Sequence, residues 1–207
     1  GNLMEWVVDM VLRRAGVLLD TQEWVKYQYP QLLQVNGKLD QLAGGTPDWE
    51  KAIEEIEGLG LPDFFRKATE NIVSHLKEKY PDGLSKVVLE TKSCSSFMFD
   101  VYETTGANPN HQMQAFHYLK AKDLPEAHII YISKDDLRML EIGVFNTPKF
   151  EEPYKKDIEQ MTKYFEAKEQ PPKEKEVVFD RERQKFSPNW KVAYSGYLTK
   201  LYGYKNQ

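Results

Sequence analysis

The strongest constraint on this chain is a short apolar run that ends in charge. Residues 86–92 read Lys-Val-Val-Leu-Glu-Thr-Lys and follow the turn residues Pro81-Asp82-Gly83. A run of β-branched and aliphatic residues of this length, bounded by a turn, is the pattern of a strand covered on both faces. Such a strand implies an α/β fold: a mixed central β-sheet flanked by helices. The charges at its far end, Glu90 and Lys92, need partners, as they would where a buried strand brings its tip to an active site.

The 207 residues suit one core with room for an insertion. Residues 3–15 carry Leu3, Val7, Met10 and Val11 at helical spacing before Gly16, which predicts a first helix. Residues 22–34 are rich in aromatic and β-branched side chains and read as strand, interrupted by Pro30. Asn36-Gly37 reads as a tight turn between two strands. Thr46 or Asp48 would cap a short helix bearing Trp49, Ile53 and Ile56, and a second helix runs over about 62–79. These two helices form a helical insertion over about 46–80. Residues 93–110 read as a polar loop, followed by a helix to about Lys122, a hairpin at 127–145 around Lys134-Asp135-Asp136, and a helix after Pro148 and Pro153. An aromatic-rich extension covers about 171–207, opening on the solvated linker Gln170-Pro171-Pro172.

Composition excludes several classes. With 41% AVILMFWYC and 29% charged residues the chain can bury a core, and its apolar runs are too short to cross a bilayer. No basic stretch followed by an apolar run opens the sequence, so no signal peptide is expected; with a single cysteine, a reducing, cytoplasmic setting without a membrane partner is the expectation. One cysteine, Cys94, cannot form an internal disulfide or a four-cysteine iron–sulfur or zinc site. No Gly-x-x-x-x-Gly-Lys-Ser/Thr element is present, so the chain is not an ATP-driven motor. A net charge of −4 gives no global basic footprint, yet an enzyme that holds cations between carboxylates can still meet phosphate through the metal.

Asp40 and Glu90, each at the end of an adjacent strand, are suited to a hard divalent cation such as Mg²⁺, which takes carboxylate oxygens, waters and phosphate. Lys92, two residues beyond Glu90 on a strand, projects from the same face, where it can orient an attacking water and offset charge on the phosphate. The acid-x-Lys spacing also occurs at Glu166–Lys168, on a charged helix with no chemical implication. Asp82, nearer in sequence to Glu90, competes with Asp40 for the acidic position but also reads as an ordinary turn residue. Gln114 and Tyr118 are one helical turn apart and share a face. Trp190, Tyr194 and Tyr197, near Lys191 and Lys200, suit either core packing or stacking on unpaired bases.

In this order, Gly37-x-x-Asp40, Glu90-Thr91-Lys92 and Gln114-x-x-x-Tyr118 resemble the PD-(D/E)xK nuclease superfamily, in its RecB-like and lambda-exonuclease-like branch. Gly1-x-x-x-Glu5 is similar to the first-helix element of that branch, and the resemblance spans about residues 1–145. It implies a Mg²⁺- or Mn²⁺-dependent deoxyribonuclease of a bacterial or phage-infected cell, an exonuclease in recombination or repair. DNA, as single strands or duplex ends, would be the partner, along with a recombination protein. Asp40, Glu90, the Thr91 carbonyl and Glu5 would hold the metal, Lys92 would be catalytic, and Ser93, Gln114 and Tyr118 would place the substrate. A structure-specific endonuclease of the same superfamily and a catalytically silent DNA-binding scaffold are the rival readings. Relatives that carry a four-cysteine iron–sulfur cluster differ from this chain, which has Cys94 alone.

Overall fold

The computed structural model describes residues 2–173, 175, 177–180 and 185–189, and it divides into two compact units, 1–160 and 161–207. The first unit is α/β. Its five-stranded mixed sheet has the order β1 (Leu18–Thr21), β4 (Gln41–Gly45), β5 (Leu84–Cys94), β6 (Glu126–Ser133) and β7 (Met139–Phe145). Only β5 and β6 run parallel; the other neighbours are antiparallel. Between β1 and β4 the chain makes the hairpin β2 (Trp24–Tyr27) and β3 (Val35–Lys38).

Strand alternation sorts the core into two layers. On β5 and β6, Val87, Leu89, Ile130 and Ile132 pack beneath α1 (Asn2–Arg14), α2 (Trp49–Glu57) and α3 (Asp63–Lys79). Val88, Ile129 and Tyr131 face α4 (Ser96–Thr105), α5 (Pro109–Ala121) and the start of α6 (Pro148–Ala167). Each fully buried aliphatic or aromatic side chain contributes about 1.5–3 kcal/mol, so β5 and β6, covered on both sides, hold the sheet together. The α2–α3 pair lies between β4 and β5, where the helical insertion was expected, and Asp48 caps α2 by accepting from the Lys51 amide at 3.0 Å.

Four readings of the sequence are corrected. Residues 93–110 are not all loop: Ser95 accepts from the Met98 amide at 3.3 Å, which starts α4, and Gly106, at φ 86°, ends it. Asn36-Gly37 makes no turn but lies inside β3, paired with Lys26 and Val25. Gly37 is there for space, since a Cβ on it would stand 2.6 Å from Tyr118 Cε1 of α5. On α1 Val7, Met10 and Val11 are buried as the spacing predicts, together with Met4, Val8 and Leu12, but Leu3 is exposed. The helix after the Pro148 region starts at Pro148 itself and carries Pro153 inside it.

In the second unit, β8 (Val177–Asp180) pairs antiparallel with β9 (Lys185–Pro188), and Asn189 donates to the Lys175 carbonyl at 2.9 Å. Trp190, Lys191, Tyr194, Tyr197 and Lys200 lie outside the described residues. No helix among the described residues is long and apolar enough to cross a membrane.

A polar cluster ties α3 to β6 and β7. Glu141, its side chain 3% exposed, lies 3.0 Å from His75 Nε2 and also hydrogen-bonds His128 and the Tyr80 hydroxyl. Burial would raise the Glu141 carboxyl, but hydrogen bonds from His128, His75 and Tyr80 outweigh it and hold it well below the usual range. Burial would lower His128, but the hydrogen bond and charge of Glu141, with Glu126, outweigh that and hold it above its ordinary value. Protonated His128 therefore stabilises the fold until pH rises through its raised pKa, and ionised Glu141 does so until pH falls through its lowered one. Glu141→Gln should lower stability by about 3 kcal/mol in mildly acidic buffer and by less in alkaline buffer, where His128 is already neutral. Urea unfolding of both proteins at the two pH values checks this.

Candidate active site

The site forms where β4 begins, alongside the second half of β5. Antiparallel pairing puts Gln41 opposite Leu89, so Asp40, just before β4, comes level with Glu90 and Thr91. The Thr91 amide donates to Asp40 Oδ2 at 3.0 Å, and Thr91 Oγ1 donates to Gln41 Oε1 at 3.0 Å. Asp40 is thus fixed by the main chain of the neighbouring strand. Glu90 is wholly buried, and its Oε2 has no hydrogen-bond partner among the described residues. Lys92, on the same face of β5, donates to Glu90 Oε1 and places Nζ 4.0 Å from Asp40 Oδ2.

Electrostatics follow from that crowding. Burial, and then the charge of Asp40, push the Glu90 carboxyl up to about 7 against the opposing pull of Lys92. Burial likewise raises Asp40, with Lys92 and the Thr91 amide resisting. The two acids lie close enough to share a proton, so the metal-free pair holds less than its full negative charge at neutral pH. Glu5, on α1, is raised by burial and then by Asp40 and Asp9.

Of the residues singled out by sequence, Asp40, Glu90, Thr91, Lys92 and Glu5 come together. The Gln22 side chain donates to Glu5 Oε1, and Gln41 Nε2 reaches the Glu5 carbonyl at 3.5 Å. Asp82 does not join them: it is exposed in the turn before β5, at the far end of that strand from Glu90. Gln114 donates to the Tyr118 hydroxyl at 2.9 Å, which donates to the Lys38 carbonyl at 2.8 Å. These two residues therefore brace the strand leading to Asp40. Burial, with the charges of Glu90 and Asp40, pushes the Tyr118 phenol up to about 12, which marks its nearness to the pair. Ser93 follows Lys92 on β5 and so points to the opposite face of the sheet. His117 is a core residue, 2.7 Å from the Tyr154 hydroxyl, and burial lowers it to about 4.

Sequence reasoning missed three participants. Asp9 is one helical turn after Glu5, a spacing that the sequence displays; its Oδ2 accepts from Thr21 Oγ1 at 2.8 Å, and Thr21 also reaches the Asp40 carbonyl at 3.0 Å. Gln41 and Gln22 carry no pattern that separates them from surface glutamines.

The oxygens gathered here suit a hard cation. Glu90 offers a buried, unpartnered carboxylate oxygen next to the carboxylate of Asp40. Among the described residues no three of His, Cys, Asp and Glu form a group that would enclose an ion. Cations of the Mg²⁺ type bind through one or two carboxylates, with water and substrate phosphate filling the other positions.

No protein-family model matches the chain, and no curated protein matches it. Among solved structures, the crystal structure of SSO0001 is similar at 13% identity with a TM-score of 0.47, over 97% of this chain and 67% of that one.

Proposed function

We propose that this chain is a Mg²⁺- or Mn²⁺-dependent deoxyribonuclease, an exonuclease acting in recombination or repair. The observation that carries the reading is the wholly buried Glu90 carboxylate, unpartnered at Oε2 and set against Asp40 with the Lys92 ammonium beside them. A structural role would favour a satisfied pair, because an ionised carboxylate away from water is unfavourable unless something completes it. Asp40, Glu90 and the Thr91 carbonyl would hold the ion, with Glu5 adding to the site.

When bound, the ion supplies a water of lowered pKa and positive charge for the leaving oxygen. The chain's own groups do the rest. The Thr91 amide and Gln41 keep Asp40 and β5 in register. Lys92 holds a proton-rich group where charge accumulates on the phosphate, and orients the attacking water. Gln114 and Tyr118 lock β3, and with it the approach to Asp40, against α5. Hydrolysis adds water across the phosphorus–oxygen bond: the water oxygen joins phosphorus, and the displaced nucleoside oxygen leaves with a proton.

Lys92→Ala should retain the fold, by circular dichroism, and lose cleavage of a labelled duplex end by on the order of 10²-fold or more. Unchanged cleavage by the folded variant removes Lys92 from the mechanism. The exonuclease assignment predicts that closed circular plasmid survives conditions that degrade its linear form. Because Glu90 titrates near 7 and must lose its proton to bind a cation, Mn²⁺ affinity by calorimetry should rise between pH 6 and pH 8, with proton release. Asp40→Asn and Glu90→Gln should abolish most of that binding, and Asp82→Asn should leave it as in the parent.

A further inference from the structure

The β2–β3 hairpin carries one covered and one open face. Val25 is buried and Gly37 abuts α5, whereas Trp24 and Lys26 on β2 and Asn36 and Lys38 on β3 are all exposed. Register places Lys38 directly opposite Trp24 and Asn36 opposite Lys26, so the indole has a lysine across from it and another two residues along. The Trp24 side chain is 70% exposed. A cavity of about 310 Å³, lined by Trp24, Val25, Lys26, Gln34 and Asn36, opens beside it, a volume in the range that holds a small ligand group. Gln34 Nε2 donates to Asn36 Oδ1 at 2.8 Å and braces the rim.

This face adjoins the carboxylates. The pairing of Trp24 with Lys38 continues in register to Thr21 opposite Gln41, through main-chain bonds from Leu39 to Glu23 and from Gln22 to Asp40, both 3.0 Å. Gln22 reaches Glu5 with its side chain, and the Lys38 ammonium is near enough to Glu5 to favour its charged form. Phosphate approaching Asp40 and Glu90 meets like charge, so a local pair of cations next to them supplies attraction that a chain of net charge −4 otherwise lacks.

An exposed indole flanked by cations fits a polyanion that offers unstacked rings. Duplex DNA keeps its bases stacked on one another, whereas an unpaired strand presents them to aromatic side chains. We propose that the open face of the hairpin is a landing platform for single-stranded DNA: Trp24 stacks on a base, and Lys26 and Lys38 take the neighbouring phosphates, leading the strand toward Asp40. The choice of DNA rests on the nuclease reading above, and what is added is the form of the substrate and where it lies.

The test is fluorescence anisotropy of a labelled oligothymidylate and of a duplex of equal length, in Ca²⁺ at fixed salt. The single strand should bind more tightly, Trp24→Ala should weaken its binding by about tenfold or more, and Trp24→Phe should keep most of it. Lys26→Ala and Lys38→Ala should each flatten the fall of log affinity with log salt by about 0.7. Unaltered single-strand affinity in Trp24→Ala overturns the proposal, as does equal binding of duplex and single strand. A change of oligomeric state in Trp24→Ala on gel filtration also overturns it, by assigning the face to a second copy of the chain. If Lys92→Ala abolishes cleavage while Trp24→Ala binds normally, the platform alone falls; if the Trp24 effects hold but no metal supports cleavage, the nuclease reading alone falls.

Discussion

Two carboxylates pressed together inside a sheet repel one another and lose their hydration, and Asp40 and Glu90 are held in that state by the pairing of β4 with β5. The rest of the architecture can be understood from this contact. The Thr91 amide supplies the hydrogen bond that keeps Asp40 in place, and Gln41 secures the same strand from its side chain. Lys92 provides the nearest positive charge, and its proximity to both acids lessens their repulsion without removing it. Helix α1 then brings Glu5 to the same edge, and α5 closes on Gly37 so that Tyr118 holds the strand that leads into Asp40.

Much of this was legible in the sequence because the deciding residues follow a strict period. Val87 to Lys92 alternate between two covered faces, and that alternation alone put Glu90 and Lys92 on one side. The insertion was legible from its helical spacing and from Asp48 as a cap. Helix α4 was not, because Ser93, Ser95 and Ser96 have the composition of a loop, and one serine acting as a cap reverses that reading. Asn36-Gly37 misled for a related reason. The pair is the usual signal for a two-residue turn, yet here the glycine answers to the ring of Tyr118, a neighbour far away in sequence. Which of Asp40 and Asp82 lies beside Glu90 was equally a question of which strand ends meet, and register, rather than proximity in the chain, puts Asp40 there.

The same distinction separates the two polar clusters of the first unit. Around Glu141 each acid oxygen finds a donor, His128 is drawn toward its charged form, and the group ties one helix to two strands. Around Glu90 one oxygen finds none and the acid is drawn toward its neutral form. The Glu141 carboxylate is thus satisfied on both oxygens by protein donors, whereas among the described residues the Glu90 carboxylate is satisfied on one.

The pairing of β4 with β5 spans the whole of α2 and α3, and this bears on how the chain comes to possess its site at all. Local helices can form early, but the strand contact that seats Asp40 beside Glu90 closes a long loop and gains nothing until the loop is closed. The carboxylates are therefore brought together only when that loop closes. Until then both acids are hydrated and far apart, so the crowded, dehydrated pair exists only once the first unit has folded.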